Sequence, residues 1–162
     1  MANHKLTLLG HPASKKIQLY LQHADLQKKD YERRLAYSEG IVALSGEKGR
    51  AIDLARDLYK IDLNSGELRH QFETMIQSYG FQKATKLDAH VCAEAHLWMT
   101  LVGLHSKYVR ESQAPRHRYS HPRHAHIWVY EIDGKFRPKE DSPCPNCQQW
   151  VRKEFCTVNG TS

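Results

Sequence analysis

Long apolar runs are absent from this chain of 162 residues, and cysteine is scarce. A membrane-spanning helix needs about 20 consecutive apolar residues, and no segment of the sequence approaches that length. Four cysteines are too few for a disulfide-rich scaffold, and a chain of this size can build a core without one. Residues 1–10 also lack the apolar core of a signal peptide. We therefore expect a soluble protein with no membrane partner and a cytoplasmic site of action.

Internal repeats and low-complexity runs are absent too, so a single domain over residues 1–162 is expected. Apolar residues make up 40% of the chain and charged residues 26%, as in ordinary globular proteins. The net charge of +6 favours an anionic partner, above all nucleic acid, because lysine and arginine neutralise phosphates. The alternative is that the positive charge only keeps the protein in solution.

The spacing of apolar residues predicts a helical N-terminal portion over residues 1–80. Three helices are expected there, over residues 14–37, 48–60 and 64–80. The third has Glu67 three residues after Asn64, in capping-box position, and Gly80 as a natural stop.

The remaining residues, 81–162, are predicted to form an α/β core. The expected elements are a short strand within residues 81–91, a buried helix over 92–107, a loop over 112–126, a strand over 127–130, a turn at 133–134 with a return over 135–139, and a last helix over 143–155. The resulting sheet is small and mixed, and helices flank it.

Two short motifs stand at the predicted starts of two of these helices. The first is Cys92-Ala93-Glu94, and the second is Ser142-Pro143-Cys144-Pro145-Asn146-Cys147. Three thiolates, two of them within one turn, can hold Zn²⁺ in a tetrahedron with one position left for water. Glu94 would place a carboxylate beside that water without ligating the metal, and could shuttle its proton.

These motifs resemble those of the cytidine deaminase superfamily, in which His or Cys, any residue and Glu are followed later by Pro-Cys-x-x-Cys. The resemblance covers about residues 91–155. It implies Cys92, Cys144 and Cys147 as zinc ligands and Glu94 as the general acid/base. It also implies hydrolytic deamination at C4 of cytosine, or C6 of adenine, with loss of ammonia.

Within the superfamily, the Cys-Ala-Glu form is similar to free-cytidine deaminases, and Ser-Pro-Cys is similar to polynucleotide deaminases of the APOBEC kind. The helix-rich N-terminus and the early chain end look more like bacterial toxin deaminase domains. That likeness implies delivery as a secreted toxin domain and a cognate immunity protein as partner. The sequence departs from the family in the long stretch 95–142 and in its few predicted strands, so a pared-down sheet is expected.

Other interpretations of the cysteines stay open. His90 could complete a closed four-ligand zinc site, which would make the protein a non-catalytic, zinc-stabilised nucleic-acid-binding module. A disulfide between Cys144 and Cys147 is a further alternative. Cys156 is expected to be a core cysteine on the last helix.

The loop over residues 112–126 is basic and contains no acid. Arginines there could bind phosphates, and a tyrosine could stack on a base. The candidate substrate-binding residues are His90, Arg116, Arg118, Tyr119 and Arg123. A solvated loop, or a second metal at His121, His124 and His126, is the alternative. His96, His105, Trp150 and Phe155 are expected in the core or a pocket.

Overall fold

The computed structural model describes residues 4–9, 41–110, 122–132, 138–159 and 161. Five strands in these ranges form one sheet: β1 His4–Leu9, β2 Ile41–Leu44, β3 His126–Ile132, β4 Pro138–Glu140 and β5 Thr157–Val158. The α-helices are α1 Arg50–Tyr59, α2 Gly66–Ser78, α3 Ala93–Arg110 and α4 Val151–Glu154, with short 3-10 helices at Ala89–Val91, Pro122–His124 and Cys147–Gln149. This combination confirms the α/β class, whereas the deaminase arrangement stays a prediction.

The sheet is organised around β3. One edge of β3 pairs antiparallel with β1 along its whole length, and β1 pairs antiparallel with β2. The other edge is shared, because β4 pairs antiparallel near Ile132 and β5 pairs parallel at Ile127. Ile127 and Val129 are buried while Trp128 and Tyr130 are half-buried, so this strand turns one face to the core.

The predicted helical N-terminal portion, residues 1–80, is wrong where β1 and β2 lie. The two strands pair with each other, and β1 also pairs with β3, which follows them by more than eighty residues. Local apolar spacing cannot show such distant pairing. The helix predicted over residues 14–37 lies outside the described residues, as does the turn at 133–134.

Helices α1 and α2 occupy the predicted stretches 48–60 and 64–80, but the cap of α2 differs. Ser65, not Asn64, is the N-cap, and its Oγ accepts from the Leu68 N–H at 3.5 Å. Asn64 instead accepts from Arg69 Nη2 at 3.0 Å. The capping box with Glu67 is therefore wrong, and Gly80 follows the helix in a left-handed conformation (φ 71°), as expected of a stop.

The strand predicted within residues 81–91 is also wrong. Residues 81–88 form an irregular connection, and the 3-10 helix Ala89–Val91 leads into α3. Their backbone groups bond to side chains of the second motif rather than to a neighbouring strand, as shown below.

Helix α3 is the centre of the core, as the all-round apolar stretch predicted. Its residues 93–101 are all buried, and it packs against β1, β2, α1 and α2. At Gly103, a Cβ atom would lie 2.9 Å from the Ile61 side chain, so glycine permits this close approach. No described helix is long and apolar enough to cross a membrane.

Asn159 joins the sheet to the segment that carries the second motif. Its amide takes the place of a strand residue between β4 and β5: Oδ1 accepts from the Val129 N–H at 2.8 Å, and Nδ2 donates to the Asp141 carbonyl at 2.9 Å. Asp141 in turn donates its own N–H to Val129 at 3.0 Å. The start of the second motif is therefore fixed against β3.

Candidate metal centre

The first motif lies where the 3-10 helix Ala89–Val91 meets α3. Cys92 has extended backbone angles (φ −72°, ψ 150°), and its carbonyl accepts the first α3 hydrogen bond, from the His96 N–H at 3.0 Å. Val91 accepts from the Gly46 N–H at 2.9 Å, which ties the motif to the end of β2. These bonds fix Cys92 at the N-terminus of a long helix and Glu94 in its first turn.

His96 reinforces the same connection from inside the core. Its Nδ1 donates to the Leu44 carbonyl at 2.6 Å. The ring is buried, and burial lowers the pKa of His96 to about 4. His96 is thus a neutral core histidine, as predicted, and not a metal ligand.

The second motif is a turn, not the start of one continuous helix. The prediction of a helix over residues 143–155 is wrong in its first half, where the 3-10 helix Cys147–Gln149 precedes the short α4. Pro143 and Pro145 lack N–H groups, and Trp150 departs from helical angles (φ −137°). The Gln148 N–H closes the turn on the Cys144 carbonyl at 2.9 Å.

The structure brings the three predicted cysteine ligands together. The sulphurs of Cys92, Cys144 and Cys147 all lie within 4.8 Å of one another, and Cys92 and Cys144 are 3.5 Å apart. Cys92 and Cys147 are buried and Cys144 is half-buried. All three are free thiols, so the alternative of a Cys144–Cys147 disulfide is not what the structure contains. The group can hold a metal ion.

The three cysteine sulphurs alter one another's pKa values because they lie so close together. The pKa of Cys144 is lowered chiefly by the neighbouring Cys147 and Cys92 thiols, and the backbone N–H groups of Cys147 and Asn146 add to the effect. The pKa values of Cys92 and Cys147 are raised, first by their bonds to Cys144 and then by burial. A cluster that already stabilises one thiolate is suited to a cation.

Glu94 is completely buried beside this cluster. Its Oε2 accepts a hydrogen bond from Cys147 Sγ at 3.0 Å. Burying a carboxylate is costly, so a glutamate at this position in the core is unusual unless it has a task. The contact places the acid where the sequence predicted it, beside a candidate ligand.

His90 does not belong to the cysteine group. It is half-buried in the 3-10 helix before Cys92, and among the described residues the candidate metal ligands that lie together are the three cysteines. The alternative of a closed four-ligand site with His90 stays a prediction. Three protein ligands leave a coordination position open.

The predicted substrate-binding arginines are described only in part. Arg123 is exposed on the 3-10 helix Pro122–His124. It lies near Tyr79, whose pKa is raised chiefly by its hydrogen bond to Glu154, with the Arg123 charge opposing that rise. Arg116, Arg118 and Tyr119 lie outside the described residues. His121 also lies outside them, and the side chains of His124 and His126 are not described. The alternative of a second metal at these three histidines therefore stays a prediction.

Two amide side chains of the second motif were missed by the sequence interpretation. Asn146 is buried between the two cysteines; its Oδ1 accepts from the Ala84 N–H at 2.7 Å, and its Nδ2 donates to Thr85 Oγ1 and the Leu87 carbonyl, both at 2.9 Å. Gln149 pairs with both backbone groups of Gln82, at 3.0 and 2.7 Å. An asparagine inside the Cys-x-x-Cys turn was the available signal, but its partners are distant in sequence.

Other features lie away from the cluster. Cys156 is exposed after α4, so its prediction as a core cysteine is wrong. Trp150 and Phe155 are buried, as predicted. A cavity of about 460 Å³ is lined by residues of the α1–α2 connection and by His105, with none of the motif residues. Comparisons of the chain with protein-family models, curated proteins and solved structures find no match.

Proposed function

We propose that the protein is a zinc-dependent deaminase that hydrolyses cytosine to uracil in a nucleic acid. The observation that carries this proposal is the buried Glu94 carboxylate, 3.0 Å from a sulphur of the three-cysteine group. A purely structural metal site has no use for an acid at that position.

The cysteines fit zinc in chemistry and in spacing. Zinc–sulphur bonds of about 2.3 Å in a tetrahedron separate the sulphurs by about 3.8 Å. The Cys92–Cys144 separation of 3.5 Å and the limit of 4.8 Å for the whole group bracket that value. Small side-chain shifts would therefore complete a three-thiolate site of Cys92, Cys144 and Cys147.

Zinc held there supplies Lewis acidity, which makes water a nucleophile at neutral pH. The chain's own contribution is proton transfer at the Glu94 carboxylate. Glu94 would take a proton from the attacking water and return it to the base as the C4–N bond breaks. Water adds, ammonia leaves, and cytosine becomes uracil, so the reaction needs no further reactant.

The choice of a polymeric substrate rests on charge. The chain carries a net charge of +6, which favours a polyanion over a free nucleoside. A base within a duplex cannot reach a zinc site, so a single strand or a flipped base is required. Action as a toxin effector with a cognate immunity protein remains a prediction from the resemblance.

The test is a substrate panel. Zinc-loaded protein is incubated with single-stranded DNA, duplex DNA, RNA and free cytidine, and uracil is measured by sequencing or chromatography. We expect uracil in a single-stranded polymer. Turnover of free cytidine alone would contradict the polymeric substrate, and turnover of none of them would contradict a cytosine deaminase.

A further inference from the structure

The irregular segment over residues 82–88, here called the 82–88 loop, lies directly against the second motif. Asn146 bonds to Ala84, Thr85 and Leu87, and Gln149 bonds to Gln82. Asn146 lies between Cys144 and Cys147, and Gln149 ends the 3-10 helix that begins at Cys147, so the loop is bonded directly to the segment that carries these two cysteines. Its last residue leads through the 3-10 helix Ala89–Val91 into Cys92. The loop therefore joins the two motifs at the surface.

Further bonds within the loop fix its shape. Thr85 Oγ1 accepts from the Leu87 N–H at 3.2 Å and donates to the Leu87 carbonyl at 3.3 Å. Lys83 Nζ forms an ion pair with Asp88 at 3.1 Å. These bonds hold the backbone of the loop in one arrangement, so less entropy is lost when the loop binds a ligand.

Two neighbouring side chains on this loop are available to a partner. Leu87 is 62% exposed and is the large apolar side chain that stands out in solvent among the described residues. Lys86 is exposed as well, and within the described chain it has no ion-pair partner. Lys83 differs, because Asp88 neutralises its charge. A single exposed leucine is ordinary on a surface. Here it stands next to an exposed lysine, in a loop whose backbone bonds to the asparagine between Cys144 and Cys147.

We propose that the 82–88 loop binds the single-stranded polynucleotide next to the target base, with Leu87 packing on a neighbouring base and Lys86 pairing with a phosphate. This inference rests on the proposed function for the identity of the metal-site substrate. Bases of a single strand expose faces that an apolar side chain can cover, and a lysine contacts phosphate as a point charge. Lys86 and Leu87 are adjacent in the chain, as the phosphate and the base that they contact are adjacent in the strand.

Binding can be measured without catalysis, by fluorescence anisotropy of a labelled single-stranded DNA oligonucleotide with the zinc-loaded Glu94→Gln protein. Lys86→Ala should weaken binding several-fold and reduce the slope of log K against log salt by about 0.7, the value for one lost phosphate contact. Lys60→Asn is the matched control, because this exposed lysine ends α1 on the side of the cavity, away from the motifs. Asparagine also tolerates the left-handed angles of that position (φ 59°). The control should leave both values unchanged.

A second readout uses turnover in the Glu94 protein. Leu87→Ser should raise KM for the oligonucleotide several-fold and leave KM for free cytidine, where that is a substrate, unchanged. Unaltered affinity and salt slope for Lys86→Ala, or equal KM changes for both substrates with Leu87→Ser, would overturn the inference. Absence of deamination with the expected binding changes would instead overturn the proposed function and leave the loop as a polynucleotide-binding surface.

Discussion

His96 shows how a single residue of α3 can support the first motif without touching a ligand. Its ring joins the first turn of α3 to the end of β2 through the Leu44 carbonyl. The bond to Leu44 requires the neutral ring to donate from Nδ1. Protonating this ring is unfavourable, because burial removes the water that would solvate its positive charge.

Stability should therefore fall in acid because of His96. An unfolded histidine has a pKa of about 6.5, and burial lowers the folded pKa of His96 to about 4. Between these values the unfolded chain binds the extra proton, so the contribution is present above pH 6.5 and is lost as the pH falls towards 4. The loss should reach about 3 kcal/mol.

The measurement compares urea unfolding of the wild type and of His96→Gln between pH 7 and pH 4, in the same metal state. Glutamine keeps an N–H donor for Leu44 but does not titrate, so the difference between the two proteins should shrink or reverse in acid. Parallel pH profiles would contradict the account of His96.

At the scale of single residues, the sequence predicts the three cysteines and Glu94, but it does not predict the residues that hold their segments in place. Cys92, Cys144, Cys147 and Glu94 were identified from residue type and spacing, and the structure brings them together. Asn146 was not identified, because an amide side chain can bond to many kinds of group and the sequence does not show which groups it meets. The partners of Asn146 lie about sixty residues earlier.

The 82–88 loop has no regular secondary structure, and hydrogen bonds to Asn146 and Gln149 hold it in place. A strand was predicted nearby from composition, but the backbone groups of Ala84 and Leu87 bond to the Asn146 amide instead. Such bonds between side chains and the backbone compete with secondary structure, and the spacing of apolar residues does not reveal them.

Asn146→Ala should release this loop. Three hydrogen bonds are lost, and at about 1 kcal/mol each the free energy of unfolding should fall by about 2–3 kcal/mol. Amide hydrogen exchange over residues 82–88 should accelerate at the same time. The matched control is Gln148→Ala, the exposed neighbour with one bond to Pro143, which should cost less than about 1 kcal/mol. Equal stability for the two variants, with unchanged exchange, would contradict this role.

Strands β1 and β2 are a second feature that the sequence does not predict, because they form through pairing with other strands. β3 was predicted from its run of β-branched and aromatic residues, and the return strand β4 was predicted from its position after a turn. β1 and β2 gain their stability from pairing in the sheet. The local pattern therefore predicted no strand at either place, within a portion over residues 1–80 that was predicted to be mostly helical.

For the molecule as a whole, the metal centre links segments that are distant in the chain. Cys92 begins the central helix, and Cys144 with Cys147 lies beyond β4. An ion bound at all three would stabilise the folded state only, because the ligands are not held together in the unfolded chain.

Removing zinc with a chelator should therefore lower Tm. At a free zinc concentration about 1,000 times Kd, binding contributes about 4 kcal/mol, which corresponds to about 10 °C for a chain of this size. Differential scanning calorimetry with and without zinc would measure the shift. Cys92→Ser should lose most of it, whereas Cys156→Ser, with its exposed thiol, should retain it. Equal shifts in both variants would contradict a site of three cysteines.

The positive charge of the whole chain was available from composition, but its arrangement was not. Among the predicted basic contacts, Arg123 is exposed on the 3-10 helix Pro122–His124, while the candidate phosphate contact Lys86 comes from the stretch over residues 81–91 in which a short strand was predicted. Net charge predicts the class of partner, and only the fold shows which cations lie near the metal centre.

The central claim is that Glu94 turns a three-cysteine zinc site into a deaminase. It is tested most directly by measuring zinc content and uracil formation in a single-stranded oligonucleotide for the wild type and for Glu94→Gln. The account predicts equal zinc in both proteins and a loss of turnover of at least about 100-fold in the variant, since proton transfer by a positioned side chain contributes about 10²–10⁴-fold. Equal turnover at equal zinc content would contradict it.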